Sequence, residues 1–138
     1  MVPDYSEIVN SIVSQFGADL KAIILFGSRA QREETNESDD VDLLIIADNL
    51  PAGRDQRRRL AIAMHGVGEH MWRVSPVLLT PEELEMNLDK DAPLMFGLCE
   101  GHRVLFGQVP AVNDFCSRIA RDYEYQKEWR AWISRRHT

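Results

Sequence analysis

Cysteine is scarce in this chain. Cys99 and Cys116 stand alone among 138 residues, with no Cys-x-x-Cys spacing and no histidine cluster nearby. That pattern argues against a metal or redox motif and reads as two small core residues in a reducing compartment. Long apolar runs are missing too: none approaches the roughly 18 residues of a membrane span. Nor does the N-terminus Met1-Val2-Pro3-Asp4 show a basic region leading into an apolar stretch. A cytoplasmic protein with no membrane association is expected. Positive charge is in deficit, since 16 basic against 22 acidic residues leave a net −6 and a pI near 5.2. The basic footprint of a general nucleic-acid binder is therefore absent, which argues against a polymerase role. There is no internal repeat and no low-complexity linker. At 15.8 kDa and 44% hydrophobic residues, the chain has room for a single domain over residues 1–138 with one core.

What the sequence does contain is concentrated in two segments. Ala22-Ile23-Ile24-Leu25-Phe26 is an apolar run that reads as a buried strand, and Gly27-Ser28-Arg29-Ala30 follows it at once. A helix opening at Gly27-Ser28 would present unpaired backbone N–H groups and the positive end of its dipole, a place for a triphosphate. Eleven residues separate Ser28 from Asp40-Val41-Asp42-Leu43-Leu44, the head of a second apolar strand. Side chains two apart on a strand share a face, so Asp40 and Asp42 point one way while Val41, Leu43 and Ile45 point the other. Two adjacent carboxylates repel, and a divalent cation between them explains the pair best. Hard oxygen ligands suit Mg²⁺, which takes phosphates and waters as its remaining ligands.

These two segments resemble the signature of the minimal nucleotidyltransferases of the DNA polymerase beta superfamily: Gly-Ser, a spacer, then Asp-x-Asp. The resemblance covers about residues 21–107 and implies an α/β (α+β) fold with a small mixed sheet backed by helices. It implies that Gly27 and Ser28 hold the terminal phosphates and that Asp40 and Asp42 bind Mg²⁺ and serve catalysis. A hydroxyl would then attack the α-phosphorus with loss of pyrophosphate. Glu100-Gly101-His102-Arg103-Val104-Leu105-Phe106-Gly107 also looks like the family's glycine, apolar and aromatic ending.

Three departures from the family pattern are visible. Arg32 stands where glycine is usual, and the spacer is one residue longer than the commonest form, with Asp39 as the apparent insertion. Placing Asp39 in the first metal position would put it and Asp42 on opposite faces of a strand, so Asp40 with Asp42 is preferred. The third departure concerns the family's further carboxylate on a later strand. Here that strand is Arg73–Leu79, which has no acid, and Ser75 or Pro76 occupies the position. Either Glu69, His70 or Glu82 supplies the base, or the protein binds nucleotide without efficient transfer.

The remaining pattern predicts a first helix capped by Asp4, striped by Ile8, Ile12 and Phe16, and ended by Gly17. A helix over about 55–70 follows the second strand, and Thr80-Pro81-Glu82-Glu83 opens another with a reciprocal cap. Further expected elements are a helix from Asp91-Ala92-Pro93 to Gly101, a short strand at Arg103–Gly107 and a long terminal helix over about 113–136. In that last helix Trp129, Trp132 and Ile133 fall out of phase with Phe115, Ile119 and Tyr123. Either the helix bends or its end offers apolar surface to a second copy or another protein. Arg29 reads equally as a phosphate ligand or as a solvated side chain pairing with Glu33, and Arg57-Arg58-Arg59 as a solvated helix face.

Two functions of different class follow from the resemblance. The first is a Mg²⁺-dependent transferase moving a nucleoside monophosphate, AMP from ATP by preference, to a protein or small-molecule hydroxyl. A separately encoded helical protein would be the acceptor, as in toxin–antitoxin pairs. The second is a regulatory module that retains the nucleotide site and acts by masking its partner. Adenylyl transfer to an aminoglycoside belongs to the first class and is the less expected reading, because that activity usually needs a further domain or a dimeric cleft to bind a polycationic sugar, although the acidic balance would suit such a ligand.

Overall fold

A computed structural model of the chain describes residues 4–31, 40–64 and 73–135. The expectations placed on Arg32, Glu33, Asp39, Glu69 and His70 lie outside those residues. Helix α1 (Ser6–Phe16) begins where Asp4 Oδ1 accepts the Ser6 N–H at 2.9 Å, and ends at Gly17, φ 55°. Strand β1 (Leu20–Phe26) leads through Gly27 into the short helix α2 (Ser28–Gln31). Strand β2 (Val41–Ala47), helix α3 (Arg54–Ala63) and strand β3 (Val74–Leu79) follow, then helices α4 (Pro81–Asp89) and α5 (Pro93–Cys99) and strand β4 (Arg103–Gly107). Helix α6 (Pro110–Asp122) precedes a hairpin of β5 (Tyr123–Gln126) and β6 (Ala131–Ser134).

The main sheet has the order β3-β2-β1-β4, with β1 antiparallel to both neighbours and β2 parallel to β3. Both faces are covered, which is why β1 and β2 read as nearly continuous apolar runs. Ile23, Leu25, Val41, Leu43, Ile45 and Val74 face α1 and the Leu60–Met64 side of α3. Ala22, Ile24, Leu44 and Ile46 face α4, α5 and α6. Each fully buried Ile or Leu contributes on the order of 1.5–3 kcal/mol. Strand β3 lies at an edge, and Val41 N–H bonds Arg73 O at 2.8 Å. Ladder alternation then turns residues 74, 76 and 78 outward, so the N–H that Pro76 lacks is missing on the exposed side, where it discourages further strand addition.

Helix α4 carries the capping box read from the sequence: Glu83 N–H donates to Thr80 Oγ1 at 3.1 Å and Thr80 N–H donates to Glu83 Oε1 at 2.9 Å. Arg57, expected on a solvated face, donates from Nη1 to both oxygens of the same carboxylate, at 2.5 and 2.7 Å. Partial burial would raise the Glu83 carboxyl. The Thr80 N–H and the Arg57 guanidinium outweigh that burial and hold the pKa below the usual glutamate value. A depressed carboxyl stabilises the fold in full above the unfolded pKa, about 4.3, and loses that contribution as pH falls through the folded value. Acid unfolding of Glu83→Gln followed by circular dichroism should therefore show a shallower loss of stability below about pH 4.3 than the parent.

Two expectations are corrected. The long terminal helix stops at Asp122, because Tyr123 turns extended at φ −135°, ψ 157°. Tyr-Glu-Tyr-Gln alternates aromatic and polar residues with period two, Tyr125 pairs with Trp132 in Ala-Trp-Ile-Ser, and Arg130 at φ 47° lies at the turn between the strands. The phase shift seen in the sequence is thus a change from helix to hairpin. Tyr123 and Trp132 pack on Phe96 with ring centroids 5.5 and 6.0 Å away. Trp129 at the tip is 76% exposed. Any contact between copies at this end would use a hairpin and not a helix.

The second correction concerns the cysteines. Cys99 at the end of α5 and Cys116 in α6 form a disulfide, with Cα atoms 5.2 Å apart. Local spacing gave no hint, because the pairing comes from α5 packing against α6. Closing a loop of 17 residues is worth about 3 kcal/mol by chain entropy. Cys116→Ser should lower the unfolding free energy in non-reducing denaturant titration by about that amount.

Candidate active site

The site forms where β1 ends and β2 begins. Phe26 pairs with Asp42 across the antiparallel β1–β2 ladder, and Asp42 pairs with Ser75 across the parallel β2–β3 ladder. Paired residues project to one face, so Phe26, Asp42 and Ser75 form a row on the side covered by α4, α5 and α6. Asp40 directly precedes β2, and alternation puts it on the same face, roughly 6.7 Å along the strand. Asp42 is half-buried; the Asp40 side chain is 52% exposed and lies 3.5 Å from Arg73 Nε. So exposed an ion pair contributes about 0–1 kcal/mol and leaves Asp40 able to take another partner.

Gly27 is what brings the turn against this pair. Its φ is 72°, in the left-handed region, and a Cβ built on it would overlap the Asp42 carboxylate. Ala30 N–H and Gln31 N–H both bond Gly27 O, at 3.1 and 3.2 Å, which winds α2 directly after the glycine. Ser28 is the first residue of α2 and is half-buried. Gly27, Ser28, Asp40 and Asp42 therefore meet at one end of the sheet. Two carboxylates with hard oxygens, facing a turn, fit a cation such as Mg²⁺ that completes its shell with phosphate and water. Among the described residues no group of three or more acidic, histidine or cysteine side chains gathers.

Arg29 departs from its reading as a solvated side chain. It is 5% exposed, the one buried charged residue among those described, and its Nη1 donates to Tyr5 Oη at 3.3 Å. Twenty-four residues separate the two, so no sequence window shows the contact. The register also decides between Ser75 and Pro76: it is Ser75 that stands beside Asp42, and it is exposed. Glu82 is eliminated as a base. It lies on α4 beyond the opposite end of β3, with at least about 13 Å of strand between Ser75 and Leu79.

Comparisons with known proteins identify the family. Residues 7–95 match the polymerase beta nucleotidyltransferase family. A protein of Methanocaldococcus jannaschii, provisionally named a protein adenylyltransferase, is 34% identical over 115 residues, covering 82% of this chain and 76% of the relative. A second provisionally named protein adenylyltransferase of the same organism is 48% identical over 42 residues, 30% of this chain and 41% of the relative. Among solved structures, a chain of a substituted MntA–HpeT toxin–antitoxin superposes with a TM-score of 0.53 at 18% identity, covering 84% of this chain and 83% of that one. That last likeness is one of fold alone. No helix among the described residues is long and apolar enough to cross a membrane. With the matched family spanning most of the chain and a relative of this identity, the protein belongs to the nucleotidyltransferases of the DNA polymerase beta superfamily, as a minimal nucleotidyltransferase domain.

Proposed function

We propose that this nucleotidyltransferase moves AMP from ATP to a hydroxyl of a separately encoded protein. The observation that carries the proposal is the close approach of the Asp42 carboxylate to Gly27, which puts an acidic pair against a turn suited to phosphate. Support for AMP and for a protein acceptor comes from the provisional names of the Methanocaldococcus jannaschii relatives. A separately encoded protein partner is suggested by the toxin–antitoxin pairing of the fold neighbour.

In this reading the backbone N–H groups after Gly27 and the Ser28 hydroxyl orient the terminal phosphates. Asp40 and Asp42 would hold Mg²⁺, which when bound supplies Lewis-acid screening of phosphate charge. The acceptor oxygen forms a bond to the α-phosphorus, the bond to the β-phosphate oxygen breaks, and pyrophosphate leaves. Ser75 has no basic group to take the hydroxyl proton, so the proton passes to Glu69 or His70, to solvent or to a group on the acceptor. Catalysis then rests on positioning and charge more than on proton transfer, as phosphoryl chemistry allows.

Incubation with ATP labelled at the α-phosphate, or separately at the γ-phosphate, in the presence of Mg²⁺ and the product of an adjacent gene tests the proposal. Label carried from the α-position alone supports it; label from the γ-position alone would make the protein a kinase. The serine beside Asp42 favours a second reading, nucleotide binding with slow turnover and regulation by masking. That reading predicts tight partner binding with no label transferred.

A further inference from the structure

The buried pair of Arg29 and Tyr5 lies beside the site, and the chemistry proposed above does not use it. Helix α2 opens directly after Gly27, whose φ of 72° shapes the turn that leads into it. A buried guanidinium is costly unless hydrogen-bonded, so a leucine or methionine would fill this space at lower cost if packing were all that mattered. Arg29 instead reaches across to a fixed acceptor, Tyr5 Oη, at 3.3 Å.

Tyr5 is itself held on two sides. It is 4% exposed, its carbonyl accepts the Val9 N–H at 3.0 Å, and the Arg103 guanidinium covers its ring at 5.5 Å from the centroid. Arg103 pairs with Leu25 in the β1–β4 ladder. The line from Arg29 through Tyr5 to Arg103 therefore joins α2, α1 and β4 beneath the end of β1.

We infer that Arg29 is a positioning residue, anchored by the Tyr5 hydroxyl, that holds the Gly27–Ser28 turn in the shape that receives the nucleotide's phosphates. The inference rests on the nucleotide-site reading above, but part of its test does not. Tyr5→Phe removes the acceptor and keeps the ring, its packing and its contact with Arg103. In the nucleotide-free protein, amide exchange followed by NMR should be about tenfold faster at Ala30 and Gln31 in Tyr5→Phe. The central-strand amides of Ile24 and Leu44 should be unchanged. Calorimetry with Mg–ATP should show a Kd about tenfold weaker, with the thermal midpoint held. Arg29→Lys, which keeps the charge without the planar fork, should reproduce both effects.

Unchanged exchange at Ala30 and Gln31 overturns the inference, as does exchange accelerated equally throughout the sheet, which would mark a general loss of stability. Unaltered Mg–ATP affinity in a variant with faster local exchange also overturns it. Should the parent protein not bind Mg–ATP at all, the nucleotide-site reading fails, and exchange alone decides whether Tyr5 holds the turn.

Discussion

Asp42→Asn is expected to lower nucleotidyl transfer by about 10³-fold, equivalent to about 4 kcal/mol of transition-state stabilisation. Asparagine keeps the shape and half-burial of Asp42 between Phe26 and Ser75, so folding should be spared. The substitution removes the charge that a cation beside the Gly27 turn requires. The unfolding midpoint should hold while label transfer from α-labelled ATP collapses. Asp40→Asn should act in the same direction, because its carboxylate is on the same face and its exposed pairing with Arg73 does not substitute for a bound cation. A variant that loses activity and stability together would place the acidic pair in a structural role.

Gly27→Ala is expected to cost about 3–4 kcal/mol of stability as well as most nucleotide binding. Two penalties add. A φ of 72° costs an L-residue roughly 1–2 kcal/mol, and overlap of the new methyl with the Asp42 carboxylate costs roughly 1–3 kcal/mol in displaced atoms. The strand end cannot yield easily, because Phe26 and Asp42 are locked in the β1–β2 ladder and Asp42 is held again by β3. Asp42 must therefore swing away, which takes one carboxylate out of the pair. Thermal unfolding and Mg–ATP calorimetry on the same sample would separate the two consequences. An alanine variant with parental stability and affinity would contradict the geometry of the turn.

The parts of this molecule that could be read from its sequence are those decided within a few residues. The nearly continuous apolar runs of β1 and β2, the reciprocal cap of Thr80 and Glu83, and the glycine stop after α1 each depend on neighbours close in the chain. The pairing of Asp40 with Asp42 follows from strand alternation in the same way. What could not be read is set by packing between distant segments. Cys99 meets Cys116 because α5 packs against α6, and Tyr5 meets Arg29 from 24 residues away in the chain. The terminal hairpin is an intermediate case. The break in helical phase at Trp129 and Trp132 was visible, but its resolution required the apolar wall of Phe96 that receives the aromatic rings. Whether Ser75 or Pro76 stood beside Asp42 depended on β-sheet register, which an edge strand's own sequence does not specify.

A single Mg²⁺-dependent nucleotide site formed by the acidic pair and the glycine turn should bind ATP, in calorimetric titration of the purified protein, only when Mg²⁺ is present, and the Asp40→Asn/Asp42→Asn double variant, still folded, should not bind it. Equal binding by parent and variant, or binding indifferent to Mg²⁺, would contradict that expectation.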